Sequence, residues 1–325
     1  MSTAVYPAIV SARPRFGIVG GAAVVGIAFV VTVALPLATY TTSLALFGLA
    51  HVLSELNYID RRFSARVGGR LMLRIGGLIL VAVTARGAAI GGLVLPATDA
   101  VVELLAAAAL ALVVVRRMGR HRAVGAVAGL ILAAGAAAAP FQMLLGLAIL
   151  HNLTPLGFFA EALGGQHRRR ALALLAIPLI VLPLAIASGI PGDTLARMGL
   201  ASPEMRFLAS GPLALNLGAY VPAGLISTEW ALRLFSAAVF AQIMHYVAVI
   251  VLLPRLAAET PARWSSHWLV AGIGVAAAVL VVVFVVDYGL ARQLYGLTAL
   301  VHSWLEIPVL LLALGGLAVV QPESA

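Results

Sequence analysis

The chain has 325 residues, of which 62% are hydrophobic and 10% charged, with a mean hydropathy of +1.08. So apolar a chain cannot keep a wettable surface as a water-soluble domain, and its solvent is lipid. All 21 basic residues behind the formal charge of +9 are arginines, most of them in short clusters between apolar runs, which reads as membrane topology and excludes nucleic acid as a partner; the absence of cysteine excludes disulfides, thiolate metal sites, iron–sulfur clusters and c-type haem attachment.

Apolar runs of the length needed to cross a bilayer recur along the whole chain. The first follows Arg13 and Arg15 as a signal peptide would, but no small-residue cleavage site follows it, so a retained first helix is expected. The expected fold is an all-α polytopic bundle forming one integral membrane domain over 1–325. About ten spans are expected, at 17–39, 41–59, 72–95, 99–115, 123–139, 141–163, 171–190, 230–253, 268–287 and 293–315. The third is interrupted by Arg86 with Gly87, Gly91 and Gly92, and the fifth is weakened by Gly135 and its flanking alanines, so eight spans are the alternative. The proline-broken stretch 191–228 reads as an extracytoplasmic cap loop lying on the bundle.

Arginine placement orders these spans. Arg13/Arg15, Arg61/Arg62/Arg66/Arg70 with Arg74, Arg116/Arg117/Arg120/Arg122, Arg168/Arg169/Arg170 and Arg255/Arg263 fall at alternate junctions, as the positive-inside rule requires. The opposite junctions are relatively rich in acids, among them Asp99, Glu103, Asp193, Glu204, Glu229 and Asp287. The expectation is a multi-pass protein of the cell inner (plasma) membrane with both termini cytoplasmic.

Of the seven histidines, His121 and His167 lie in arginine-rich loops and His267 at a helix mouth, where solvation accounts for them. His51, His151, His245 and His302 fall inside predicted spans, where a polar ring must find a partner and function is the default expectation. Ten residues separate His51 from Arg61, His245 from Arg255 and His302 from Arg292, so each of these three rings sits about 15 Å from a charged end, near mid-bilayer. His151 joins that level only if its helix ends near Gly164 and Gly165 or bends at Pro155.

The pattern His-x-x-x-Glu occurs twice, as His51 with Glu55 and His302 with Glu306, placing each pair on one helix face. This suits two metal ligands, or one ligand and a carboxylate that orients another histidine. Asn57, Tyr58, Asn152, Thr154, Gln242, Tyr246 and Ser303 are polar neighbours, and Glu55, Glu306, Tyr58 and Tyr246 are the candidate catalytic groups. Imidazole with carboxylate and no thiolate suits iron, copper, zinc or manganese, with open positions favouring non-haem Fe(II) and oxygen. Arg86 and Glu103 are expected either as a structural ion pair or with Arg86 facing the cluster.

His51 with Glu55, His302 with Glu306-Ile307-Pro308, and His245-Tyr246 leading to Pro254-Arg255 resemble the Brp/Blh family of membrane β-carotene dioxygenases. The family's His-Gly motif with a following Asp is not present here. The resemblance implies a non-haem iron held by transmembrane histidines and oxidative cleavage of a carotenoid. The leading expectation is therefore an intramembrane iron oxygenase, with His51, His151, His245 and His302 on the metal and O2 and a lipophilic carotenoid, isoprenoid or lipid-like molecule as substrates. A b-type haem protein and a proton-coupled transporter with a midplane His/Glu relay are the alternatives.

Overall fold

The computed structural model describes residues 18–256 and 267–315. Arg13, Arg15 and Arg263, and with them the expected placement of both termini, lie outside the described residues. Among those described there is helix, turn and loop but no strand, as lipid requires of a chain whose backbone polar groups must be satisfied within each segment.

The long helices are α1 (Ile18–Ala34), α2 (Pro36–Val67), α3 (Gly69–Ile90), α4 (Pro96–Val114) and α5 (Arg122–Ala138). Next come the consecutive pieces α6 (Pro140–His151) and α7 (Thr154–Ala162), followed by α8 (Gly165–Ala176), which continues through a π-helical turn at Ile177–Val181 into α9 (Leu182–Ala187). The short helices α10 (Ile190–Arg197) and α11 (Leu213–Leu217) belong to the stretch expected as a cap. The chain then runs through α12 (Trp230–Val247), a second π-helical turn at Ala248–Leu252 and α13 (Leu253–Leu256), and ends with α14 (His267–Val286) and α15 (Tyr288–Leu314).

Each of the ten expected spans coincides with a helical segment. Seven helices among the described residues are long and apolar enough to cross a membrane, the bent pair α6/α7 makes an eighth, and α1 and α14 supply shorter apolar stretches. The expected boundaries need correcting in several places: the third helix ends at Ile90 rather than 95, and the helices of the seventh and tenth spans begin earlier than expected, at Gly165 and Tyr288. The first helix ends at Ala34 rather than 39 because Pro36, which has no N–H to donate, opens a new helix. That helix runs on past residue 59 to Val67 and carries Arg61 and Arg62, whose long stems can reach a polar boundary from within it. The sixth span breaks at Asn152–Leu153 with a bend of 46°, and Pro155 lies in the first turn of the second piece. Arg86 does not interrupt α3, because its guanidinium meets Asp99 Oδ2 at 2.7 Å and Glu103 Oε1 at 2.8 Å.

Leucines and valines such as Leu73, Leu80, Val275 and Val282 are largely exposed, as expected of a surface facing hydrocarbon. Inside, small residues let backbones close together: a Cβ on Gly129 of α5 would stand 2.9 Å from Leu112 Cγ and 3.3 Å from the Ala108 carbonyl oxygen of α4. The helices α2, α12 and α15 hold the centre, with α15 packed on α2, α3, α4, α7 and α14. The arginine-bearing junctions meet at one end, where Arg62 bonds both oxygens of Glu161, Arg117 donates to the Val67 carbonyl at 2.6 Å, and Met118 lies under Gly315. Residues 191–228 lie at the other end, where Ser202 N–H donates to the Ala34 carbonyl at 2.7 Å and Arg233 faces Asp193.

Candidate metal centre

Four helices bring one histidine each to a common point: α2 carries His51, α6 ends on His151, α12 carries His245 and α15 carries His302. His51, His245 and His302 are at most 1% exposed, and His151 is half-buried. The break after α6 gives His151 its place, because its helix stops at the ring instead of carrying the following residues straight on.

His302 Nε2 stands 3.2 Å from His51 Nε2 and 3.1 Å from His151 Nε2. His245 joins behind them, its ring centroid 4.6 Å from that of His151 and 5.4 Å from that of His51. The ligating atoms of His51, His151 and His245 all lie within 4.8 Å of one another, and this buried group could hold a metal ion. A ring nitrogen carries one proton or one lone pair, so His302 Nε2 cannot make ordinary hydrogen bonds to two other Nε2 atoms. A cation among the three lone pairs satisfies all of them, and imidazole nitrogens bound at about 2.1 Å to one ion stand roughly 3.0–3.4 Å apart.

The acids sit one turn further along the same helices. Glu306 Oε2 accepts from His151 Nδ1 at 2.7 Å, and Glu306 Oε1 accepts from Thr154 Oγ1 at 2.8 Å. Glu306 thus orients a histidine from another helix, fixing the proton on Nδ1 and turning the Nε2 lone pair inward. Glu55 Oε2 lies 3.9 Å from His245 Nε2, with both side chains fully buried. Neither His245 nitrogen and neither Glu55 oxygen reaches hydrogen-bond geometry with a described residue. So many buried orphan atoms at one point are costly unless an ion meets them, and the donor set fits a metal on that ground as well.

The surroundings hold the rings in place. Tyr246 stacks on His51 with centroids 4.2 Å apart and planes at 27°, and its hydroxyl lies 3.4 Å from that of Tyr295. Tyr295 reaches this position because α2 has a glycine there: a Cβ on Gly48 would stand 2.8 Å from Tyr295 Cε2. Ser54, between His51 and Glu55, donates to the Val249 carbonyl at 2.9 Å, inside the π-helical turn that follows His245.

Of the expected site residues, the four histidines, both glutamates, Tyr246, Thr154 and Asn152 come together. Tyr58 does not: it lies buried against Phe158 and Phe63, two turns along α2 from His51 and outside the cavity wall. Asn57 is occupied by Arg61, which donates to it at 3.2 Å. Arg86 takes the structural role, bound to both Asp99 and Glu103, although it and Glu103 also line the cavity. Sequence reasoning missed Tyr295 and Ser54; a heptad separates Tyr295 from His302, a helical spacing that could have flagged it. His121 accepts from Arg120 at 2.9 Å in a short 3-10 turn, and His167 lies exposed in the first turn of α8 rather than in a loop, both away from the cluster.

A cavity of about 740 Å³ lies between α6 and α15 and reaches His51, His151, His302 and Glu306, while His245 and Glu55 stay behind its wall. Its rim includes exposed Phe141 and Leu150 of α6. In comparisons with known proteins, no family model, no curated protein and no solved structure matches this chain.

Proposed function

We propose that this protein is an intramembrane metalloenzyme in which His51, His151, His245 and His302 hold one ion, Fe(II), for oxidation of a lipophilic substrate by O2. The observation that carries the reading is the meeting of three Nε2 atoms at 3.1–3.2 Å. Neutral imidazoles with carboxylates and no thiolate suit iron that keeps open positions for oxygen. Bound iron would supply the oxygen activation that protein side chains lack.

The chain's own residues do the rest. Glu306 keeps His151 in the tautomer that offers Nε2, with Thr154 holding the carboxylate from its other oxygen. Tyr246 fixes the plane of His51 by stacking. The cavity between α6 and α15 admits substrate sideways from lipid past Phe141 and Leu150, and its apolar walls keep bulk water from the reacting atoms. A carotenoid, as the family resemblance implies, is one molecule of the lipophilic class.

The rival readings fare worse on this geometry. A haem needs a planar slot between axial nitrogens about 4 Å apart, and rings touching at 3.1–3.2 Å leave none. A proton relay passes each proton in at one ring nitrogen and out at the other, whereas these three rings meet head-on through the same atom, a focus rather than a line.

Elemental analysis of protein purified gently in detergent without chelators tests the proposal. About one iron per chain, lost in His302→Ala, is expected. Less than about 0.2 metal per chain with no gain on reconstitution would overturn it.

A further inference from the structure

The cavity is elongated, and it has a polar end. Its wall on α15 is a stripe at alternating spacings of four and three, through Arg292, Gly296, Ala299, Ser303, Glu306 and Leu310. Eighteen residues of helix span about 27 Å. The far side is mostly the leucines of α6, with Leu144 and Leu147 among them. At the cap end, Arg292 sits with Tyr40, Tyr220, Tyr295 and Gln242, and the cap residues 218–223 close over them.

Arg292 is the unusual member of this group. It stands over the Tyr40 ring, its Cζ 6.0 Å from the centroid, and among the described residues no carboxylate is within salt-bridge distance of it. Glu103, which lines the same cavity, and Asp99 are both committed to Arg86, and Asp287, at the start of the same helix, accepts from the Leu290 N–H as its cap. Burial pushes the Tyr220 hydroxyl well above its ordinary range, so it remains a neutral donor, hydrogen-bonded to Gln242 Oε1, and gives Arg292 no phenolate. An arginine without a counter-charge on the wall of an apolar channel is costly, and within a membrane segment it marks a ligand's path.

We propose that the substrate is an amphiphile with an anionic headgroup, a carboxylate or a phosphate, held by Arg292 at the cap end while its apolar tail lies along α15 toward the histidines. The guanidinium fork matches the paired oxygens of such a group. Ten residues of α15 separate Arg292 from His302, about 15 Å, which an extended chain of roughly a dozen carbons covers. The headgroup therefore selects the position along the tail that meets the metal. The inference rests on the metal reading only for what happens at that far end.

Binding to full-length protein in detergent tests it, with radiolabelled palmitate as tracer and unlabelled palmitate, dodecyl phosphate, hexadecanol and hexadecane as competitors. At least one of the two anions should compete at a concentration tenfold or more below that needed for hexadecanol, and whichever one does so identifies the headgroup. Arg292→Gln should abolish this preference while leaving hexadecanol binding intact, and Arg292→Lys should retain part of it. Failure of both anions to outcompete hexadecanol overturns the inference from wild type alone, as does an Arg292→Gln protein that keeps the preference. Metal content measured on the same preparations separates the two proposals: metal without anion preference sinks only this one, and anion preference without metal sinks only the metal reading.

Discussion

His51 and His302 are 251 residues apart in sequence and touch through Nε2 at 3.2 Å, each on a helix that buries its ring almost completely. Two neutral imidazoles could share one N–H···N bond, but His302 Nε2 meets His151 Nε2 at 3.1 Å as well, and an ion serves all three nitrogens where one proton cannot. Removing either should therefore act on the ion before it acts on the fold. His51→Ala and His302→Ala are each expected to lose most of the bound metal while the protein still elutes as a monodisperse peak in detergent, a contrast that metal content against gel filtration reads directly.

Glu306 is a positioning residue, since it acts through His151 and Thr154 rather than on the metal. Glu306→Gln should weaken metal affinity about 10–100-fold, the usual cost of losing such a partner. A chelator titration measures it. Thr154→Val, which removes only one of the two hydrogen bonds to the carboxylate, should fall between wild type and that variant.

Acid should release the ion. Imidazoles must be neutral to coordinate, so protons compete with metal, and affinity falls as pH decreases. The expected record is full occupancy at neutral and mildly alkaline pH and progressive loss on acidification, reversible on returning the pH with metal supplied. Occupancy that rises on acidification would contradict histidine ligation.

Arg86 bridges Asp99 and Glu103, whose side chains are only 6% and 3% exposed. Arg86→Gln strands two buried carboxylates and should destabilise the bundle by about 3 kcal/mol, the lower end for a broken buried pair because the guanidinium is itself partly exposed. Thermal unfolding in detergent would show the loss. Metal content per folded chain should not change, because the residue holds α3 to α4 rather than the histidines.

Gly48→Ala tests the packing behind the centre. The new methyl would stand 2.8 Å from Tyr295 Cε2, so the ring must move and its contact with the Tyr246 hydroxyl must go. A cost of about 1–3 kcal/mol is expected for such overpacking, read as a lower unfolding temperature.

The sequence alone determined the class of fold and the chemistry available to the site. Apolar runs, arginine clusters and the absence of cysteine dictate a helical membrane bundle in which any metal must rest on imidazole and carboxylate. A common level for His51, His245 and His302 followed as well, because a helix rises by a fixed amount per residue and charged ends mark its limits. What distance along a helix cannot give is rotation about its axis when every face is apolar: lipid and protein interior then look alike to the side chains, and no hydrophobic stripe says which way a ring points. Tertiary packing decided that His151 swings inward at the break before Thr154 and that Glu306 serves His151 rather than its own helix neighbour. It also decided that Tyr246 stacks on His51 while Tyr58, equally polar in sequence, turns away to Phe158.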